Sequence, residues 1–412
     1  MFDDKDTSVV DWKLVLIVCS LIVATLMGIR NCFGLFLEPI SLFTNSGKEV
    51  FSLGMALQAL TWGLGSFIVG MIIDKFGSQK ALAFGIICYG CGIYILSNPD
   101  VLIIYGFGTL TGFGLGAGGM STIVAIIGKT APPEKKSMAM GLVTAAGSFG
   151  QFFFISPTLF SIKTFGWQNT MIFLSLISFS LLFLIPLLNQ KKDKNSFTPI
   201  KEESFYFKEI IFSSIKNKNY ILLNLGYFTC GFHVTFISLH LPNDLVSKGL
   251  SIDLAGWALA LIGLFNIVGA LIAAWLGNKV PKKKSLAFIY LARSFVITFF
   301  ILTPTSPFTA LMFGALMGLL WLATVPLTNG IILTFLGPKY LGTLAGIAFL
   351  SHQAGAVIGA WLGGKIFDTY GNYDNAWWIS VLLGVTAFLF HVFIKEKPFP
   401  EFNQDKNIFS RV

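Results

Sequence analysis

The chain has 412 residues, of which 54% are hydrophobic and 12% are charged, and its mean hydropathy is +0.75. Soluble domains carry about 25% charged residues, so this composition argues against a soluble enzyme, a nucleic-acid-binding protein and a disordered chain. The formal net charge of +9 must therefore be explained by where the basic residues lie.

Twelve apolar runs are long enough to cross a membrane, because a membrane helix needs about 20 mostly apolar residues. Six runs precede a Lys-rich polar stretch and six follow it. This pattern predicts an all-α membrane protein with a six-helix bundle at 1–189, a cytoplasmic linker at 190–218, a second six-helix bundle at 219–397 and a cytoplasmic tail at 398–412. The predicted spans 1 to 12 are 14–37, 51–73, 80–97, 101–128, 138–160, 168–188, 219–242, 254–276, 284–303, 307–335, 342–365 and 375–394.

The basic residues predict the orientation of these spans. With the N-terminus inside, 23 of the 29 basic residues lie on the cytoplasmic side, and only Lys48, Lys163, Lys248 and Lys365 lie outside. We therefore expect a multi-pass protein of the cytoplasmic (inner) membrane with both termini in the cytoplasm and no removable signal peptide. The charge then faces anionic lipid headgroups rather than nucleic acid.

The cysteine pattern predicts neither a metal site nor a cofactor. The five cysteines all lie in predicted spans, and Cys88 and Cys91, although spaced as CxxC, have no second pair. A glycine-rich stretch at 112–119 lies in the middle of span 4, without the strand that a dinucleotide loop requires. We interpret both features as helix packing.

The loop after span 2 carries a patterned motif. It contains Gly70, Asp74, Lys75, Gly77 and Lys80 in the run GMIIDKFGSQK. An acid there can pair with a helix terminus, and glycine permits a tight turn. This motif resembles the loop 2–3 signature of the major facilitator superfamily.

A second copy of the motif follows span 8 and strengthens the resemblance. It keeps Gly277 and the lysines, with Asn278 where an acid is common. The resemblance implies two pseudosymmetric six-helix bundles that rock about a site near the middle of the membrane.

Three segments resemble a narrower branch, the bacterial monocarboxylate transporters and oxalate–formate porters. They are Gly28 to Pro39 in span 1, Lys135 to Gln151 at the start of span 5, and Ser351 to Gly364 in span 11. The resemblance implies a monocarboxylate substrate. Span 8 departs from the pattern, because it lacks the acid–arginine pair that many monocarboxylate transporters carry there.

Two of the three arginines, Arg30 and Arg293, lie inside predicted spans. A charge near the bilayer centre costs roughly 2.5–3.5 kcal/mol on insertion scales, and no Asp or Glu lies in the middle of a span to balance it. A guanidinium group can hold a carboxylate at two points. The sequence therefore predicts a small organic anion as substrate, bound by Arg30 and Arg293. The alternatives are carbonyl pairing or snorkelling for Arg30 and a structural brace for Arg293.

Histidine is the candidate proton carrier, since it titrates near neutral pH. His233 and His240 share one face of span 7, and His352 lies in the middle of span 11. Hydrogen-bonded packing is the alternative for each. A protein without a proton carrier would instead exchange one anion for another.

Other polar side chains within the spans are candidate substrate ligands, although helix–helix hydrogen bonding is the alternative for each. Trp62 and Trp321 could form walls of the pocket. The candidate ligands are Asn31, Gln58, Gln151, Asn329 and Gln353.

The sequence thus predicts a monomeric secondary active transporter for a small organic anion, driven by proton symport. The alternatives are carboxylate exchange, transport of another small solute and a membrane sensor that transports nothing. An enzyme is not expected, because there is no HExxH motif and the side chains of Ser351 and His352 diverge on a helix.

Overall fold

The computed structural model describes residues 11–188, 211–337 and 341–399, excluding the side chains of 67, 69–76, 121, 124, 125, 129 and 137. Within these ranges the chain is helical and contains no strand. Nine stretches are long and apolar enough to cross a membrane. One of the nine, Pro133–Leu188, holds spans 5 and 6, and the helices of spans 2 and 3 are additional to the nine. The described residues therefore contain the twelve predicted spans.

The first six spans are partly continuous with one another. Span 5 is joined to span 6 at Gly166, whose φ of 81° requires the left-handed region that glycine tolerates. The helices of this half are Trp12–Cys32, Phe33–Phe36 and Leu37–Phe43 (span 1), Lys48–Phe76 (span 2), Ser78–Ile95 (span 3), Val101–Gly118 and Met120–Thr130 (span 4), Lys136–Phe153 (span 5), and Ile155–Ser180 with Leu181–Leu188 (the end of span 5 and span 6).

The second six spans are mostly single continuous helices. Only span 10 is broken, between Leu320 and Thr324. The helices are Lys218–Ser247 (span 7), Ile252–Lys279 (span 8), Lys282–Leu302 (span 9), Pro307–Leu320 and Thr324–Leu336 (span 10), Leu341–Tyr370 (span 11), and Asp374–Phe393 (span 12).

Polar caps fix where several helices begin. Asp100 accepts a hydrogen bond from the backbone N–H of Ile103 at the start of span 4. Ser306 and Thr309 form a reciprocal capping box at the start of span 10, with Pro307 at the first helical position. Such caps satisfy N–H groups that have no partner within the helix.

Glycines allow the spans to approach closely. A Cβ at Gly108 would collide with the backbone of Gly54, and one at Gly231 would collide with the carbonyl of His352. The stretch at 112–119 serves the same purpose, since Gly114 lies against Tyr89 and Gly116 against Gly65. These contacts match the small-residue packing of membrane helices.

The two halves contact each other closely at the end of the bundle away from the chain termini, which we call the far end. Asp368 of span 11 accepts hydrogen bonds from the backbone N–H groups of Lys48 and Glu49 at 2.8 Å each. The Nδ2 of Asn243 in span 7 donates to the carbonyl of Gly34 in span 1 at 3.1 Å. The far end is therefore closed.

The opposite end, where the chain enters span 1 and leaves span 12, is the terminal end. Four glycines of spans 4, 5 and 11 near this end face open space, because a Cβ added at any of them meets no neighbour within 4 Å. They are Gly128, Gly141, Gly342 and Gly346. These four glycines therefore make no close helix–helix contact, unlike the residues that join the halves at the far end.

Candidate functional site

Arg30 lies in the last turn of the first helix of span 1, near the middle of the bundle, and is half-buried. Its Cζ lies 5.0 Å from the centre of the Trp62 ring. Its Nε is buried without a hydrogen-bond partner, and among the described residues no side chain or carbonyl bonds the guanidinium. Stacking on Trp62 occupies the flat face of the group. The N–H groups at its edge therefore have no partner within the part of the chain that the structure describes.

A series of rings leads away from Arg30 and crosses from one half to the other. Trp62 of span 2 contacts Phe349 of span 11, with ring centres 5.6 Å apart. Phe349 stacks on His352 at 5.8 Å, and His352 contacts Tyr227 of span 7 at 4.9 Å. We call these four residues the aromatic wall. Trp62 and Phe349 are half-buried, so part of each ring surface remains accessible.

Arg293 has a different environment from Arg30. Its side chain has 0% exposure, and its Nε and Nη2 donate to the carbonyl of Leu320 at 3.1 and 2.7 Å. Nη2 also donates to the carbonyl of Trp321 and lies 3.7 Å from the Sγ of Cys230. These carbonyls end the first helix of span 10, where the helix dipole favours a cation. Arg293 therefore occupies the bracing position that was the alternative to substrate contact.

The break in span 10 is also held from span 8. The Oδ1 of Asn266 accepts a hydrogen bond from the backbone N–H of Leu322 at 3.0 Å. The Nδ2 of the same side chain donates to the Oγ of Ser148 in span 5 at 2.9 Å. Asn266 therefore connects the break to the other half of the protein.

The predicted polar ligands fall into two groups. Asn31 donates from Nδ2 to the carbonyl of Gln151 at 3.4 Å, directly after Arg30 in the chain. Gln353 adjoins the aromatic wall and donates to the carbonyl of Ala59 at 3.2 Å.

Three predicted ligands remain. Gln151 bonds Asn31 only through its backbone carbonyl, and its side-chain Oε1 is buried without a hydrogen-bond partner. Gln58 is completely buried and donates to the Oγ1 of Thr111, between spans 2 and 4. Asn329 is exposed on the second helix of span 10.

The three candidate proton carriers are also placed differently. His233 and His240 are fully buried, and their Nε2 atoms lie 2.8 and 2.9 Å from the carbonyls of Ser380 and Ala360. Both positions are those of helix-packing residues. His352, which is 7% exposed, belongs to the aromatic wall, and its Nδ1 lies 3.2 Å from the Oε1 of Gln353.

The loop motif after span 2 is only partly described. Gly77 has a φ of 87° at the turn between spans 2 and 3, and Lys80 is exposed. The side-chain positions of Gly70, Asp74 and Lys75 lie outside the described residues. In the described part of the chain, no three His, Cys, Asp or Glu residues are grouped so that they could hold a metal ion.

Sequence reasoning missed Phe349 and Tyr227 of the wall and Ser148 beside Asn266. Phenylalanine occurs 42 times in this chain, so the presence of one Phe at a given position does not indicate a binding site. The glycine and small-residue pattern that brings spans 2, 7 and 11 together was visible, but it did not indicate which rings would meet.

Comparison with known proteins places the whole chain in context. A family model described as the Major Facilitator Superfamily matches residues 19–243 and 223–408. An uncharacterised MFS-type transporter of Bacillus subtilis (strain 168), YcxA, is 26% identical over 84% of this chain and 85% of its own. Monocarboxylate transporter 12 of Xenopus laevis is 22% identical over 90% of this chain and 85% of its own.

The fold also matches solved structures of transporters. The crystal structure of a D-xylose–proton symporter superposes with a TM-score of 0.73, covering 94% of this chain and 98% of the other at 15% identity. At this identity the match concerns the fold alone.

Proposed function

Since the chain belongs to the Major Facilitator Superfamily, we propose that it is a secondary active transporter for a small organic anion, most simply a monocarboxylate. The two halves, 1–189 and 219–397, alternate access to a site near the middle of the membrane. The observation that carries this proposal is the half-buried side chain of Arg30, whose Nε is buried and unpartnered.

Charge balance is the reason for choosing an anion. A buried charge is costly unless it is paired, and the described residues offer no acid to Arg30. A carboxylate provides two oxygens for the two edge N–H groups of a guanidinium. A cationic substrate would be repelled at the same position.

The number of free cations argues for one carboxylate rather than two. Arg293 also has an unpartnered N–H group, at Nη1, but its side chain is completely buried and bound to the carbonyls of Leu320 and Trp321. Arg30 is half-buried and is therefore the mid-membrane arginine that a ligand can reach. Asn31 and Gln353 adjoin Arg30 or the aromatic wall, and Gln151 bonds Asn31 through its backbone carbonyl. These three are secondary ligand candidates, ahead of Gln58 and Asn329. The relative named a monocarboxylate transporter supports this substrate class.

The structure corresponds to an inward-facing state in this proposal. The predicted orientation places the terminal end, with 23 of the 29 basic residues, in the cytoplasm. The closed far end then faces outward. Proton symport is the favoured coupling, and His352 is the favoured carrier because it is the one of the three histidines that belongs to the wall.

Ligand-induced thermal stabilisation of the purified protein tests the anion site. We expect monocarboxylates, but not their uncharged amides, to raise the melting temperature of the native protein. The shift should be lost in Arg30→Gln and reduced in Arg30→Lys, whereas Lys365→Gln, which alters an exposed lysine at the far end, should keep it. An equal acid-induced shift in native protein and Arg30→Gln would show that Arg30 is not the ligand.

Uptake into proteoliposomes tests transport and its coupling. We expect an alkaline interior to accelerate uptake of the best acid, and His352→Gln to remove this acceleration. A rate that ignores the pH gradient but rises when the vesicles are preloaded with a carboxylate would indicate exchange. Binding without any flux would favour the membrane sensor.

A further inference from the structure

The aromatic wall indicates which anion the site accepts. We propose that the substrate is a planar aromatic monocarboxylate, whose carboxylate binds Arg30 and whose ring packs on Trp62 and Phe349. This inference rests on the proposed function, because it assumes that the space beside Arg30 is the transport site.

The position of the two rings supports an aromatic ligand. Trp62 lies directly against Arg30, and Phe349 meets Trp62 at 5.6 Å with the ring planes 72° apart. The edge of one ring thus meets the face of the other, which leaves a corner of two differently oriented half-buried rings. Flat rings pack well into such a corner, since edge-to-face and offset-stacked contacts are the favoured aromatic arrangements.

The corner lies next to open space. Gly346, one turn before Phe349 on span 11, faces space that is empty within 4 Å of an added Cβ. On the side of the corner away from Gly346, the rings of His352 and Tyr227 fill the space, and each of these residues is only 7% exposed. A ligand entering from the terminal end would therefore meet the accessible parts of Trp62 and Phe349 before the buried rings behind them.

Most neighbouring polar groups are already bonded and offer little to a hydroxylated ligand, the exception being the buried Oε1 of Gln151, which has no hydrogen-bond partner. The amide nitrogen of Gln353 donates to the carbonyl of Ala59, and its Oε1 faces His352. Asn31 donates to the carbonyl of Gln151, and the hydroxyl of Thr61 donates to the carbonyl of Leu57 at 2.8 Å. Apart from that buried acceptor, what remains is one cation and apolar ring surface, which suits a monoanion with an apolar flat body better than a short hydroxy acid.

Binding of three acids distinguishes the ring from other apolar bodies. Benzoate and cyclohexanecarboxylate have the same number of carbons but differ in planarity, and lactate lacks the apolar body. We expect benzoate to bind native protein about two- to tenfold more tightly than cyclohexanecarboxylate, the ratio that one aromatic contact gives, and lactate to bind most weakly. The measurement is isothermal titration of the purified protein, with benzamide as the uncharged control.

Two variants connect this preference to the wall. Phe349→Leu should abolish the preference for benzoate over cyclohexanecarboxylate, and Phe349→Tyr, which keeps the ring, should retain it. Phe299→Leu is the matched control, because Phe299 is 48% exposed on span 9 away from the wall. Melting temperatures without ligand check that the variants fold.

The outcomes separate the two proposals. Equal affinity for benzoate and cyclohexanecarboxylate, or a preference that survives Phe349→Leu, would overturn the aromatic inference and leave the anion transporter standing. If no carboxylate binds, the proposed function fails and the aromatic inference fails with it.

Discussion

Asp368 offers the sharpest test of how the far end is held closed. Its two carboxylate oxygens each accept a backbone N–H at the start of span 2, from Lys48 and Glu49, at 2.8 Å. Because Asp368 belongs to span 11, these two bonds join the halves. A carboxylate at a helix N-terminus also gains from the helix dipole.

The cost of losing this contact follows from its geometry. Asp368→Asn keeps one acceptor but turns an NH₂ group toward a backbone N–H, so one charge-assisted bond is lost. Such bonds contribute about 1.5–3 kcal/mol. Because Asp368 is exposed, we expect the loss to lie at the lower value. About 1.4 kcal/mol is a factor of ten in an equilibrium, so the far end should open roughly tenfold more often.

Labelling of a cysteine at the far end measures this opening. Ser52 is completely buried beneath Gly364, so Ser52→Cys should react with a membrane-impermeant maleimide only when the far end opens. Protein that keeps Ser52 gives the background from the five native cysteines. We expect Asp368→Asn to accelerate labelling about tenfold.

Asp253→Asn is the matched control at the same end. Asp253 also joins the halves, through an ion pair with Lys163, but both side chains are 50% exposed. Exposed pairs contribute about 0–1 kcal/mol, so labelling should rise by less than about fivefold. Equal acceleration in the two variants, or none in Asp368→Asn, would refute the assignment of Asp368 as the main closing contact.

Two further predictions concern stability, and both are read as melting temperatures of the purified protein. Arg293→Lys should lower the melting temperature, with a loss of about 1–3 kcal/mol in the free energy of unfolding, because one ammonium cannot reproduce the bonds to both carbonyls at the span 10 break. An unchanged melting temperature would contradict the bracing role of Arg293. Gly231→Ala should be destabilised by about 1–3 kcal/mol, because its Cβ would collide with a carbonyl of span 11, whereas Gly141→Ala should be tolerated, because its Cβ meets nothing within 4 Å. Similar melting of the two glycine variants would argue against the close approach of spans 7 and 11.

The spans were predictable because a continuous run of about 20 apolar residues, in a chain with so few charges, fits a membrane helix and little else. The unpaired state of Arg30 also followed from sequence, since it depends on the absence of acids from the middle of the spans. The identical signal at Arg293 had a different outcome, because its partners are carbonyls freed by a break in span 10. Pro326 was the available sign of that break: proline clashes with the carbonyl four residues earlier, here that of Leu322.

The histidines show where periodicity stops being informative. His233 and His240 are seven residues apart on span 7, a spacing that predicts one shared face, but span 7 is buried on nearly every side. Sharing a face therefore did not mean sharing a cavity, and the two rings bond to different spans, at Ser380 and Ala360. Which face of a wholly buried helix meets the site depends on the packing of all its neighbours.

Asn266 has a mechanical consequence for movement between the halves. Its amide is bonded on one side to Ser148 of span 5 and on the other to the Leu322 N–H inside the break. If the two halves shift at this point, either the buried amide of Asn266 loses a hydrogen-bond partner, at a cost of about 1–3 kcal/mol, or the interrupted helix of span 10 must move with it. Displacement of span 5 is thereby transmitted to the weakest point of span 10, so that a single side chain couples the motion of one half to the internal geometry of the other.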